Sequence, residues 1–178
     1  SIAVGGDMVI LGDPSYDEFL LEDCGLAWIH GYSATGGSDL CAASTLAAAG
    51  TTEGCNEYAT SDGISSCSFL NASRDVWHRL SLPIGSTGQW RIDTGASQLD
   101  TVLSIHNACP GTQANSIACN RDFGGHPASR VVIDYSPFQT YMIRIAGQNG
   151  DTGSYKLNIQ PHCAADVAPV PSGDHTVN

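Results

Sequence analysis

Asp93-Thr94-Gly95-Ala96, inside the stretch Arg91-Ile-Asp-Thr-Gly-Ala-Ser97, spells the loop that presents the catalytic carboxylate of an aspartic protease. That chemistry needs two carboxylates sharing a proton, each delivered by an apolar strand. The chain holds one such tetrapeptide, Arg91 puts a cation in the approach strand, and no second supporting segment follows. Asp93 therefore reads as the end of a strand, leading through a turn into Leu99-Asp100-Thr101. Serine chemistry fares no better, because there is no Gly-x-Ser-x-Gly elbow and Ser33 lacks the flanking pattern. His30, His78, His106, His126, His162 and His175 are spread singly. A Cys-His nucleophile needs a free thiolate, and an oxidised chain has most of its thiols committed. The expectation is a protein that is not an enzyme.

The cysteines stand at 24, 41, 55, 67, 109, 119 and 163, with no Cys-x-x-Cys pair and no His-x3-His partner for zinc. Irregular spacing of this kind fits disulfides in an oxidising compartment, extracellular or at a cell surface. An odd number leaves at least one thiol free, modified or bonded to another chain. Asn71-Ala72-Ser73 is an acceptor triplet for N-glycosylation.

Charge narrows the partners. With 7 Lys and Arg against 18 Asp and Glu in 178 residues, the chain carries −11. Nucleic-acid affinity rests on cations that displace counterions, so nucleic acid is excluded, and an anionic membrane surface with it. No apolar run is long enough for a membrane span. The sequence opens at Ser1 with no leader, as a processed form or a piece of a longer chain would.

The elements that must position any site are strands. Compact or alternating apolar runs occur at Met8 to Leu11, Leu26 to His30, Val76 to Leu82, Gln89 to Asp93, Thr101 to His106, Arg130 to Ile133, Thr140 to Ala146 and Ser154 to Ile159. Gly- and Pro-rich turns separate them. The one helix candidate is the Ala-rich Cys41 to Ala49. Many short strands between tight turns predict an all-β, antiparallel β-sandwich or barrel. Residues 164 to 178, with Pro169, Pro171 and Gly173, have no periodicity and read as an extended tail, or with His162 and Cys163 as a 162-178 linker. Trp77 and Trp90 sit in alternating runs and are expected in the core.

Five segments resemble the bacterial pre-peptidase C-terminal type of domain: Asp75-Val-Trp-His-Arg-Leu80, Gly95 to His106, Ile117 to Asp122, Tyr141 to Gly147 and Gly153 to Ile159. The resemblance implies a jelly-roll-like β-sandwich over residues 39-161, usually a non-catalytic module beside other domains. Some members bind calcium, collagen or other polymers. It implies a disulfide between Cys109 and Cys119 and a second between Cys41 and Cys67. Cys24, Cys55 and Cys163 are then left as candidates for intersubunit or unpaired thiols. It also places Asp100, Asn120 and Asp122 at acidic loop positions that ligate calcium, with Arg121 where another acid is common. The first residues, Ser1 to Pro14 followed by Gly25 to His30, resemble one FG-GAP repeat of a β-propeller, so that 1-38 forms an N-terminal blade-like β segment. In it Asp7, Asp13 and Asp17 resemble a calcium loop. A single repeat cannot close a propeller and must pack on the sandwich or on another subunit.

The reading that follows is a non-enzymatic extracellular structural or adhesion module, a subunit of a surface or filamentous assembly. Its partners are then copies of itself or other extracellular proteins. The alternative is a substrate-binding accessory domain of a secreted hydrolase, taking glycans or fibrous protein on exposed aromatics such as Tyr32 or Tyr135.

Overall fold

The structure, a computed structural model, describes residues 36–67 and 73–163 and the backbone of two short strands near the start. Those two, β1 (Ile2–Gly5) and β2 (Met8–Leu11), form an antiparallel hairpin of their own, with Ala3 opposite Ile10. The expected strand at Met8 to Leu11 is present. Leu26 to His30, Asp7, Asp13, Asp17, Cys24, Tyr32, Asn71 and residues 164–178 lie outside the described residues.

Nine strands then build two facing sheets. One has the order β3 (Thr45–Ala47), β5 (Asp75–Leu80), β10 (Met142–Gly147), β7 (Thr101–His106) and β8 (Ser116–Asn120). The other runs β4 (Gly50–Cys55), β11 (Ser154–Pro161), β6 (Gly88–Asp93), β9 (Arg130–Tyr135). All pairings are antiparallel except β3 with β5. This is the expected β-sandwich. The core follows from alternation: Val76, Leu80, Leu103, Ile105, Ile143 and Ile145 from the first sheet meet Trp90, Ile92, Val131, Ile133, Leu157 and Ile159 from the second.

The helix expected at Cys41 to Ala49 does not form. Cys41–Ala43 makes one 3-10 turn, and Thr45–Ala47 is a strand beside β5. Alanine's helix propensity is a weak prior, and nine residues are too few to hold a helix without an apolar stripe to bury. Ala47 is buried against the core while Leu46 faces out, the two-residue period of a strand.

In the first sheet the outer face is buried as well. Asp75 and Trp77 of β5, Met142 and Arg144 of β10, and Val102, Ser104 and His106 of β7 are all covered. The cover is made by the segments 56–67 and 107–115, joined where Ile64 N–H donates to Gly111 O (3.0 Å). Two glycines allow the close approach, since a Cβ on Gly63 or Gly111 would fall 2.5 or 2.3 Å from the Trp77 ring. Disulfides fasten the cover. Cys41 is bonded to Cys109 and Cys67 to Cys119. These are the four cysteines that the resemblance singled out, paired otherwise than it implies. Cys109 and Cys41 both end up at the outer face, Cys41 against Trp77 and Met142, while Cys119 lies on β8 opposite Ser104. Cys55, expected unpaired or intersubunit, is disulfide-bonded. Cys163 is free and exposed, as one thiol had to be.

At one end of the sandwich two connections run side by side. β5 and β10 are neighbours in one sheet and β6 and β9 in the other, so the links 81–87 and 136–141 both cross the gap there. Leu80 N–H donates to Tyr141 O (2.9 Å), and Gly88 pairs with Tyr135.

Candidate functional site

Asp93, the residue of the protease-like motif, is fully engaged. Its Oδ1 accepts from Gly95 N–H (3.0 Å) and Asn158 Nδ2 (3.0 Å), while Oδ2 faces Arg91 Nε at 3.1 Å and Arg130 Nε at 4.0 Å. Thr94 is buried, its hydroxyl 2.6 Å from that of Thr101 and its N–H donating to Ser129 O. The turn pins strand β6 to β11 and to the start of β7. Arg91, the residue that spoils an apolar approach, is an ion-pair partner of Asp93.

The densest group of titratable side chains lies under the cover on the outer face. Asp75 and Arg144 are both fully buried, and Asp75 Oδ2 accepts from Arg144 Nε (2.6 Å) and forms an ion pair with Nη2 at 2.6 Å. Burial pushes the Asp75 carboxyl up from 3.8 to about 7; Arg144 pulls it down, and the neighbouring Asp62 carboxylate pushes it up again. Trp77 Nε1 donates to Asp62 Oδ1 and also reaches Asp75 Oδ1 (3.2 Å). Asp62 Oδ2 accepts from Cys41 N–H (3.0 Å). His106 is held by Asn115 Oδ1 (2.9 Å) and Ser104 Oγ (2.9 Å), and burial lowers its pKa. A depression of about 260 Å³ above these groups is lined by Ser61, Asp62, Gly63, Ile64, Pro110 and Gly111. Both Asp62 oxygens accept from protein donors, so the group fastens the cover to the sheet. No feature of spacing marks these residues in the sequence; the one signal is single polar residues, Asp75, Ser104, His106 and Arg144, set among apolar neighbours in strands.

The expected calcium ligands fall at one corner. Asp100 N–H donates to Asp151 Oδ2 (2.8 Å), and the pKa of Asp100 is raised, by burial first and then by Asp122 and Asp151. Asp100 Oδ1 and Gln148 Oε1 are buried acceptors without a hydrogen-bond partner. Asn120 has given its Oδ1 to Arg130 N–H (3.0 Å), and Arg121 Nε is 4.0 Å from Asp122. The structure thus brings Asp151 to Asp100 and Asp122, and turns Asn120 toward the backbone. Among the described residues no three acidic, His or Cys side chains form a ready-made metal cage.

The two most exposed large apolar side chains among the described residues lie on the two links, 81–87 and 136–141. Ile84 and Phe138 are essentially fully exposed, at 108% and 98%. Each sits in the middle of a tight turn, closed by Ser86 N–H to Pro83 O and Gln139 N–H to Ser136 O. Tyr135, expected as an exposed platform, is instead half-buried and stacked on Tyr141 with ring centroids 5.5 Å apart. Trp77 and Trp90 are buried, as expected. Among the described residues no helix is long and apolar enough to cross a membrane.

No family model matches the chain, and no curated protein matches it. A structural similarity is found to the pre-peptidase C-terminal domain of a collagenase from Bacillus anthracis, at a TM-score of 0.40 and 12% identity, covering 65% of this chain and 93% of that one. The sandwich assigned above rests on the sheets themselves.

Proposed function

We propose that this chain is a non-enzymatic extracellular module that works by association, a subunit of a surface or filamentous assembly. The observation that carries the reading is the pair of exposed apolar turns at one end of a disulfide-braced sandwich. Single exposed apolar residues are ordinary, but two fully exposed ones on adjacent loops present a surface that gains by being covered. The Cys41–Cys109 and Cys67–Cys119 bridges and the bonded Cys55 fit an oxidising compartment. The engaged state of Asp93 and of Asp62 supports a module without catalysis.

The test is sedimentation velocity of the full chain over a range of concentrations, beside the double variant Ile84→Ser/Phe138→Ser. Concentration-dependent growth in the wild type that is lost in the double variant supports the reading. A wild type that stays monomeric at every concentration, or a variant that associates equally well, overturns it. Saturable binding of the monomer to a polysaccharide or fibrous protein would replace it with the accessory-domain alternative, for which exposed Tyr58 is the aromatic to change. Calcium at Asp100, Asn120 and Asp122 is part of the proposal; the orphaned acceptors Asp100 Oδ1 and Gln148 Oε1 support it.

A further inference from the structure

His78, on the core face of β5, is fully buried and takes part in a hydrogen-bond circuit whose direction can be worked out. Thr45 Oγ1 donates to Gly36 O (2.9 Å), which can only accept. The Thr45 proton is therefore spent, and the 3.0 Å contact between Thr45 Oγ1 and His78 Nδ1 must be an Nδ1–H donated by the imidazole. A neutral ring then has a bare Nε2, 2.8 Å from the Tyr155 hydroxyl, which must donate to it. Tyr155 in turn accepts from Gly37 N–H at 2.6 Å. Every donor and acceptor is used once, and the ring is fixed as the Nδ1–H tautomer.

The circuit ties four pieces of chain together: the entry segment Gly36–Gly37, β3, β5 and β11. Glycines mould it shut, since a Cβ on Gly54, Gly37 or Gly36 would fall 2.3, 2.9 or 3.3 Å from the Tyr155 oxygen. There is no place for a second proton on the ring. An imidazolium would turn Nε2 into a donor, so Tyr155 Oη would face two N–H groups and its own proton would lose its acceptor. The groups facing His78 are Thr45 from β3, Ile143 from β10, Tyr155 from β11 and Gly37 from the entry segment, none of them anionic. A charge there is uncompensated.

We infer that His78 is an acid-sensitive clasp, which on protonation releases Gly36–Gly37 and β3 from the two sheets while the rest of the sandwich stays closed. The remainder is held independently: Ser38 and Trp77 exchange backbone bonds of 3.0 and 2.7 Å, and Cys41 is bonded to Cys109. Release uncovers the β5 edge that β3 occupies, a template for strand addition, and loosens the join to the N-terminal segment. Burial lowers the His78 pKa from 6.5 to about 4, consistent with this geometry. A lowered base gives stability that is complete above about 6.5 and is lost as the pH falls toward about 4.

The test is residue-resolved amide exchange on the full chain, corrected for the intrinsic pH dependence, together with the NMR titration of the His78 ring. Protection of Gly37 and Ala47 should fall roughly thirtyfold between pH 7.5 and pH 5, with protection of β6 and β11 less affected. The variant His78→Gln should show no such selective fall. The His78 ring should report the Nδ1–H tautomer and titrate together with the loss of protection. Normal titration near the free-histidine value with Gly37 and Ala47 still protected would overturn the inference. So would an equal response in His78→Gln. If that variant does not fold, the wild-type ring titration and exchange decide alone.

Discussion

Replacing Arg144 by Met removes the cation that compensates Asp75 while keeping most of the buried volume. Breaking a fully buried ion pair from one side destabilises by about 3–5 kcal/mol, because the remaining charge has neither water nor partner. Here both Arg144 contacts of 2.6 Å end on one oxygen of a carboxylate with 0% exposure, so little water can reach it. The carboxylate has an escape, which is to take up a proton. Relative to an unfolded carboxyl of 3.8, that costs about 1.4 kcal/mol for each pH unit above it, hence about 4 kcal/mol at pH 7 and under about 2 kcal/mol at pH 5. The wild type, whose Asp75 carboxyl titrates at about 7, bears the same cost up to that pH, so the pH-dependent part of the loss in Arg144→Met should be near zero at pH 5 and grow by about 1.4 kcal/mol for each pH unit above about 7. In the wild type the raised Asp75 makes its own contribution fall as the pH climbs from about 4 to about 7, so each variant is compared with the wild type at the same pH. Urea denaturation with disulfides intact, read as the midpoint shift at constant m, supplies both numbers. A loss that is equal at about pH 5 and about pH 9 would refute the reasoning, since an uncompensated carboxylate cannot then be its source.

Gly54→Ala should destabilise by about 2 kcal/mol or more, because its Cβ would lie 2.3 Å from a buried, ring-bound hydroxyl that cannot swing away; thermal melting checks it. Replacing Cys41 and Cys109 by Ser opens a bridge spanning 68 residues and should cost about 4 kcal/mol by loop entropy, measured by urea denaturation; non-reducing peptide mapping should show Cys41–Cys109 and Cys67–Cys119. Millimolar calcium should raise the melting temperature of the wild type and leave Asp100→Asn unmoved; identical shifts in both would remove the corner from consideration.

The inner face of the sandwich was open to reading. Thr101–His106 was placed with correct ends, and Gln89–Asp93 and Ser154–Ile159 to within two residues, because each alternates or is wholly apolar between turn residues. Strand β4, Gly-Thr-Thr-Glu-Gly-Cys, is absent from the expected strands because it is a polar edge strand whose one buried residue is Gly54, opposite Tyr155. β3 was hidden by alanines. The outer face was hidden for a different reason. Asp75, Arg144, Ser104 and His106 stand where a solvent-facing period puts polar residues, and only the fold reveals that residues 56–67 and 107–115 close over them. The disulfide pairing went the same way: the resemblance implied Cys109 with Cys119 and Cys41 with Cys67, while the cover brings Cys41 to Cys109 and Cys67 to Cys119. At the corner of Asp100 and Asp122 both residues could be picked from the sequence, but Asp151 arrives from 51 residues away through a loop.

Those two bridges are interlaced along the chain, 41 to 109 and 67 to 119. A peptide bond hydrolysed anywhere between residues 67 and 109 leaves a front piece holding Cys41 and Cys67 and a rear piece holding Cys109 and Cys119. Both stitches then span the wound. A single cut in the exposed turn at Pro83 to Gly88 therefore frees no fragment until the bridges are reduced.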